Sequence, residues 1–226
     1  MTSSPLRQAW LLLSAELLRE RRRPELSSTV ALLTLGVALV FVFAGLRGET
    51  TAAAPMVWTS LTLASVAVAS RLHGRPGDRG RLRLFLSGPV GGAPVYLSKV
   101  GMVLLVLLGS GALSTVWAFL FFGFPLGAGV FAHLAGLFLG SLGLSLISSL
   151  VGALMDESSP DLLLAVLVMP LIFPVVIAGS KISESLCSHS ADAVPDSLRL
   201  WLPFLIGFDV LFGVVCLWIY DPLTRR

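Results

Sequence analysis

Six runs of about twenty apolar residues constrain this chain more than any other feature. At 1.5 Å of rise per residue, such a run is the length a helix needs to cross the hydrocarbon of a bilayer. The runs fall at Ser28–Leu46, Ala53–Ser70, Val100–Phe122, Gly129–Met155, Leu162–Gly179 and Leu200–Tyr220. Composition agrees with a lipid solvent. Hydrophobic residues make up 55% and charged residues 13% of the 226, and mean hydropathy is +0.89. A soluble domain carries roughly 25% charged residues. The expected fold class is an all-α integral membrane protein with six transmembrane helices.

The cations set an orientation. Arg7, Arg19, Arg21, Arg22 and Arg23 precede the first run. Arg71, Arg75, Arg79, Arg81, Arg83 and Lys99 lie between the second and third. Arginine-rich short connections stay on the cytoplasmic side, so the loop 71–99 and both termini are expected inside. The turn at Asp156–Asp161 is acidic and gives this assignment no support. Next to apolar spans, the basic segments read as lipid-facing topology signals and not as a nucleic-acid surface. Trp58, Trp117, Trp201 and Trp218 all fall toward span ends, the depth that amphipathic rings prefer.

Residues 1–24 stand apart from the six-span remainder, 25–226. Pro5–Arg23 predicts a helix with Leu6, Trp10, Leu13 and Leu17 on one face, an elbow lying in the cytoplasmic interface and ended by Pro24. Glu16, Arg19 and Glu20 interrupt its apolar run, so it does not read as a cleavable signal. In the basic loop, Arg81–Ser87 predicts a short helix, followed by the breakers Gly88-Pro89, Gly91-Gly92 and Pro94. The external loop Ser180–Arg199 predicts a short helix near Pro195–Leu200.

Motifs for chemistry are sparse. There is no phosphate-binding GxxxxGK[ST], no HExxH, no GxSxG and no paired metal-ligand spacing. No catalytic residue and no metal site is expected, and energy for any transport has to come from outside the chain. What remains is a set of isolated features. Leu84, Phe85 and Leu86 lie among arginines and suit a groove on a soluble partner. Gly129, Gly136, Gly140, Ser141, Ser145, Ser149 and Gly152 give the fourth run small residues for close packing, a dimer seam or a translocation surface. Pro170 and Pro174 are four apart, so both bend the fifth run on one face. Asp209 lies mid-span, where an ionisable group is costly. His133, Asp209, Ser145 and Ser149 are the candidate polar pathway. Cys187 and His189 form a weak Cys-Ser-His triplet, and Cys187 and Cys216 are expected on opposite sides without a bond.

Two stretches carry a resemblance. One is the loop, with Arg71-Leu72, Gly80, Leu82, Leu84, Leu86-Ser87-x-Pro89, Leu97 and Lys99-Val100. The other is V-L-V-M-P-L-I-F-P-V-V-I-A, with its prolines at Pro170 and Pro174. Together with the elbow and six-span layout, they resemble the haem exporter protein B family (CcmB), over nearly the whole chain. The chain departs from the family pattern at Ser70, at Arg83 and at the acidic turn Asp156-Glu157. The resemblance implies an ABC-2-like permease subunit of the cytochrome c maturation complex in the bacterial inner membrane. It implies a separate CcmA-like ATPase as the source of energy. The coupling residues would be Arg79, Arg81, Arg83, Leu84, Phe85, Leu86 and Pro89. Further implied partners are a CcmC-like haem-handling subunit, a small accessory subunit and a haem chaperone. Haem enters as substrate, not as a resident cofactor. The spans hold few polar groups to meet haem propionates, which leaves open a non-translocating scaffold. An exporter of another lipid-like substrate is the third reading.

Overall fold

A computed structural model describes residues 5–22, 24–73, 92–125, 127, 129–154, 161–187 and 193–224. Among them there are seven α-helices and no strand. They are α1 (Pro5–Arg22), α2 (Glu25–Phe41), α3 (Ala53–His73), α4 (Gly92–Phe122), α5 (Val130–Leu154), α6 (Asp161–Ser185) and α7 (Ala193–Thr224). A π-turn, Val42–Leu46, extends α2, and a 3-10 turn, Thr50–Ala52, leads into α3. Five segments are long and apolar enough to cross a membrane: Glu25–Leu46, Thr50–Ala69, Gly92–Phe122, Val130–Gly152 and Val194–Ile219. The remaining expected run, Leu162–Gly179, falls within the 25 residues of α6.

Helix boundaries moved where capping chemistry outweighed the breaker signal. The third span was expected from Val100, but α4 begins at Gly92 and carries Pro94 in its first turn. Proline is tolerated there because the first amides of a helix have no partner to lose. Lys99 therefore sits inside α4 and not in the loop. The helix is 31 residues long, ~46 Å, against about 30 Å of hydrocarbon. Its extra turns hold α1. Likewise α6 runs to Ser185 and α7 starts at Ala193, so the expected external loop 180–199 shrinks to a few residues. The short helix expected at Pro195–Leu200 is the first part of α7. Both expected bending prolines lie inside α6, which continues through them. The amide that Pro174 lacks is the one that would bond the Pro170 carbonyl.

The α1 helix divides its expected apolar stripe. Leu13 and Leu17 pack on the core while Leu6 and Trp10, with Leu11 and Leu18, stay exposed. The Leu13 methyls lie where a Cβ on Gly101 of α4 would be, 3.2 Å away. Glu16 pairs with Lys99 at 2.7 Å. The turn after α4 is closed by Gly123 at positive φ, with Gly123 N–H on Phe119 O (3.2 Å) and Phe124 N–H on Ala118 O (3.3 Å). That is the left-handed C-terminal cap, a conformation glycine adopts without a Cβ penalty.

The small-residue face of α5 is covered within the chain. Gly136 meets Ile182 of α6, and Gly129 meets Leu186. Gly140 and Gly179 leave the gap that the Trp58 ring fills, and a Cβ on either would collide with it. Trp58 is 1% exposed. Trp58 therefore faces the inside of the bundle, where two glycines on facing helices admit the whole indole. Trp218, in contrast, is 80% exposed.

Candidate functional site

Helix alternation puts the start of α3, the end of α4, the start of α5 and the end of α6 at one end of the bundle. There, four polar side chains link four helices. Trp58 Nε1–H (α3) donates to Ser183 Oγ (α6) at 2.9 Å. Ser183 Oγ lies 3.0 Å from His133 Nδ1 (α5). His133 Nε2 lies 3.0 Å from Thr115 Oγ1 (α4). Ser183 Oγ also reaches the Gly179 carbonyl at 3.0 Å, and Thr115 Oγ1 the Gly111 carbonyl at 2.8 Å. A hydroxyl has one proton. With the Ser183 proton on Gly179 O, the imidazole proton belongs on Nδ1, donated to Ser183; Nε2 is then an acceptor, and the single Thr115 proton serves either Nε2 or the Gly111 carbonyl, one at a time. Phe124 covers the ring, centroids 4.9 Å apart, and His133 is 0% exposed. Gly48 N–H on Phe121 O (2.9 Å) and Cys187 S–H on Thr50 O (3.3 Å) tie down the connections above. Burial, then the charge of Glu184, pushes the Cys187 thiol above its usual range.

Asp209 of α7 is a separate feature. It is 6% exposed, and neither carboxyl oxygen has a hydrogen-bond partner. Its Oδ1 is 2.7 Å from where a Cβ on Gly143 would stand, beside Val175 of α6. Gly143 lies ten residues from His133 along α5, about 15 Å of rise. The two ionisable members of the expected pathway are therefore not brought together. Ser145 and Ser149, both buried, are two and six residues from Gly143. At about 100° per residue, two residues put Ser145 on the opposite face of α5 from Asp209. Ser145 Oγ bonds the Leu142 carbonyl at 2.7 Å, and Ser149 Oγ has no partner. The four expected pathway residues form no single polar track.

At the opposite end, α1 meets the starts of α2 and α4. Pro24 precedes α2 and its side chain makes no cap bond. Glu20 takes over that role from the previous helix. Its Oε1 accepts from Leu26 N–H and Ser27 N–H, both at 2.9 Å, and from Ser27 Oγ–H at 3.1 Å. A carboxylate is favoured at a helix N-terminus, where free amides and the helix dipole converge. Glu20 is 7% exposed, and its Oε2 has no partner. It lines a groove of about 330 Å³ between α1, α2 and α4, which includes Ser27, Met102, Val106, Gly109 and Ser110.

Sequence reasoning found His133 and Asp209 but missed Trp58, Thr115, Ser183 and Glu20 as polar partners. For Glu20 a signal existed: a carboxylate shortly before a helix whose own cap position is proline. For the others none existed, since the contacts join helices far apart in sequence. The expected coupling residues Arg79, Arg81, Arg83, Leu84, Phe85, Leu86 and Pro89 lie outside the described residues, as does His189. Cys187 and Cys216 are free thiols. Among the described residues, no three His, Cys, Asp or Glu side chains gather as a metal-ligand set.

One family profile, described as CcmB protein, matches residues 7–217. No curated protein and no solved structure matches the chain.

Proposed function

The chain belongs to the CcmB family, and from that premise we propose that it is the permease subunit through which a separate ATPase drives haem export, or release of a haem-loaded chaperone. Membership itself makes the chain a membrane-embedded transporter component of cytochrome c maturation, not a catalytic enzyme. The family match over nearly the whole length is the observation that carries the reading.

The finer parts follow from it. Six helices cross the bacterial inner membrane: the five long apolar segments and α6. Residues 1–24 form the interfacial elbow and 25–226 the permease domain. Exposed Leu6, Trp10, Leu11 and Leu18 support lipid contact for α1. Both termini and the connection 74–91 face the cytoplasm, where a CcmA-like ATPase docks on Arg79–Pro89. A CcmC-like subunit, a small accessory subunit and a haem chaperone complete the assembly, with haem as substrate. Pro170 and Pro174 serve as the flexible point of α6, since the freed backbone acceptor weakens the helix there.

Phe85→Glu and Arg81→Glu in the intact complex test this. Each is expected to preserve the membrane protein and the ATPase, while ATP hydrolysis no longer supports cytochrome c maturation. Unchanged ATPase binding together with unchanged maturation in both variants would remove the coupling role.

A second reading is favoured by one observation. The polar network around His133 joins four helices, and Trp58, His133 and Ser183 within it are buried. That is the arrangement of a static pillar and suits a scaffold that organises assembly factors without moving cargo. Reconstitution separates the two: ATP-dependent haem movement in proteoliposomes belongs to the transporter, and its absence with an intact complex belongs to the scaffold. Movement of a different amphiphile would mark an ABC-2-like exporter of a lipid-like substrate.

A further inference from the structure

The seam that attaches α7 to the bundle is narrow. Among the described residues of the segment Val194–Ile219, only Leu205, Asp209 and Cys216 are buried. They recur at spacings of four and seven, so they share one face of the helix. Ile206, Val210, Leu211 and Val214 on its other sides are exposed, as lipid-facing residues are. The middle member of the seam is therefore a carboxyl group at a position where a leucine would pack. Both of its oxygens are enclosed, each with less than 1 Å² accessible, and neither has a hydrogen-bond partner. On the α5 side the wall is Gly143, where any Cβ would come within 2.7 Å of Asp209 Oδ1. Glycine leaves the notch that the carboxyl group fills.

No charge on the helices packed against α7 compensates an ionised Asp209. Helix α5 has no Asp, Glu, Lys or Arg, and its one titratable group, His133, lies about 15 Å along the axis from Gly143. Helix α6 carries Asp161 at its start and Lys181 and Glu184 near its end; the last two are exposed and pair with each other at 2.8 Å. Helix α4 carries Tyr96, whose hydroxyl donates to Leu146 O, and Lys99, which pairs with Glu16. On α7 itself, Asp196 and Arg199 come ten or more residues before Asp209, Cys216 seven after it, and Tyr220 and Asp221 at the far end. In an apolar interior a carboxylate with neither donor nor counter-charge is the costly form, and the neutral acid is not. We propose that Asp209 holds its proton in the folded bundle and that ionising it releases α7 from α5 and α6, which makes this seam a proton-operated joint. The proton leaves to water only when the seam opens, since the closed seam leaves its oxygens no access.

The proposal is independent of the transport reading. The full chain in micelles is unfolded by SDS titration over a series of pH values, beside Asp209→Asn and Asp209→Leu. An aspartate in the unfolded chain is ionised at neutral pH. Folding then takes up one proton, and raising the pH works against the fold. The folded-to-unfolded ratio of the parent, divided by that of a variant, is expected to fall about tenfold per pH unit between the usual Asp range and neutral pH. Both variants lack the titrating group, so whichever folds supplies the reference. The infrared spectrum of the folded parent at neutral pH is expected to contain a protonated-carboxyl C=O band that the variant loses. At alkaline pH, deuterium uptake across 194–219 is expected to be faster in the parent than in the variant, with 130–152 unchanged. A ratio that does not change with pH, or the absence of that band, overturns the bound proton. Equal uptake across 194–219 overturns the joint.

Discussion

The two ends of the helix bundle hold their buried polar groups by different means. At the end where α3 and α5 begin, Trp58, Ser183, His133 and Thr115 link four helices side chain to side chain. At the end where α1 packs, Glu16 and Glu20 each use one carboxylate oxygen and keep the other unpartnered, while at the first end the Trp117 indole N–H of α4 is the buried group without a partner. The paired end reads as a fixed clasp. The α1 end is held by carboxylates, Glu16 on Lys99 and Glu20 on the α2 amides, and it is the end from which the 74–91 connection leaves α3 and enters α4.

Magnitudes say what holds the clasp. A cross-helix hydrogen bond in a membrane protein averages about 0.6 kcal/mol, so three such bonds give roughly 2 kcal/mol. Truncating a buried tryptophan costs about 3–5 kcal/mol. Packing of the indole between Gly140 and Gly179 therefore outweighs the network it joins. Trp58→Ala is expected to be the largest effect, destabilising the protein by about 4 kcal/mol in an SDS-titration unfolding assay. A loss of no more than the hydrogen bonds would show that the clasp is polar after all.

The next effect probes the other end. Glu20→Ala removes the acceptor for two α2 amides and is expected to cost about 1–2 kcal/mol in the same assay. Glu20→Gln, which keeps an acceptor oxygen, is expected to cost less than about 1 kcal/mol. Equal losses would mean that the negative charge, not the cap, is what the fold needs there.

The smallest effect asks how closed the clasped end is. Burial and Glu184 both raise the Cys187 thiol, so less of it is thiolate at neutral pH. Maleimide labelling is expected to be slow at pH 7 and to rise as pH passes the usual thiol range. Glu184→Gln removes one of the two causes and should speed labelling modestly at fixed pH. Labelling as fast as a free thiol in the parent protein would show that this end opens.

Much of the fold was legible because lipid imposes a simple length rule. The runs at Ser28–Leu46, Ala53–Ser70 and Gly129–Met155 agree with α2 and its π-turn, α3 and α5 to within a few residues. Errors clustered where a breaker residue sat in a first turn, as with Pro94, or where polar residues continued a helix, as with Ser180–Ser185. The candidate site was legible only in part. His133 and Asp209 stood out as ionisable groups in apolar runs, but grouping them with Ser145 and Ser149 as one pathway was not supported. Rotation and rise along α5 put Asp209 about 15 Å and half a turn away from the others in different combinations.

The sequence alone determined that lipid surrounds this chain, that it is helical, and that it belongs with the CcmB family. Those conclusions rest on local quantities: run length, charge placement and short motifs. Tertiary structure decided which polar groups meet. Whether Trp58 faces lipid or two glycines, and whether Glu20 reaches the amides of α2, depends on helices brought together across the fold. No periodicity within one segment encodes that, because the partner is fixed by packing, not by spacing.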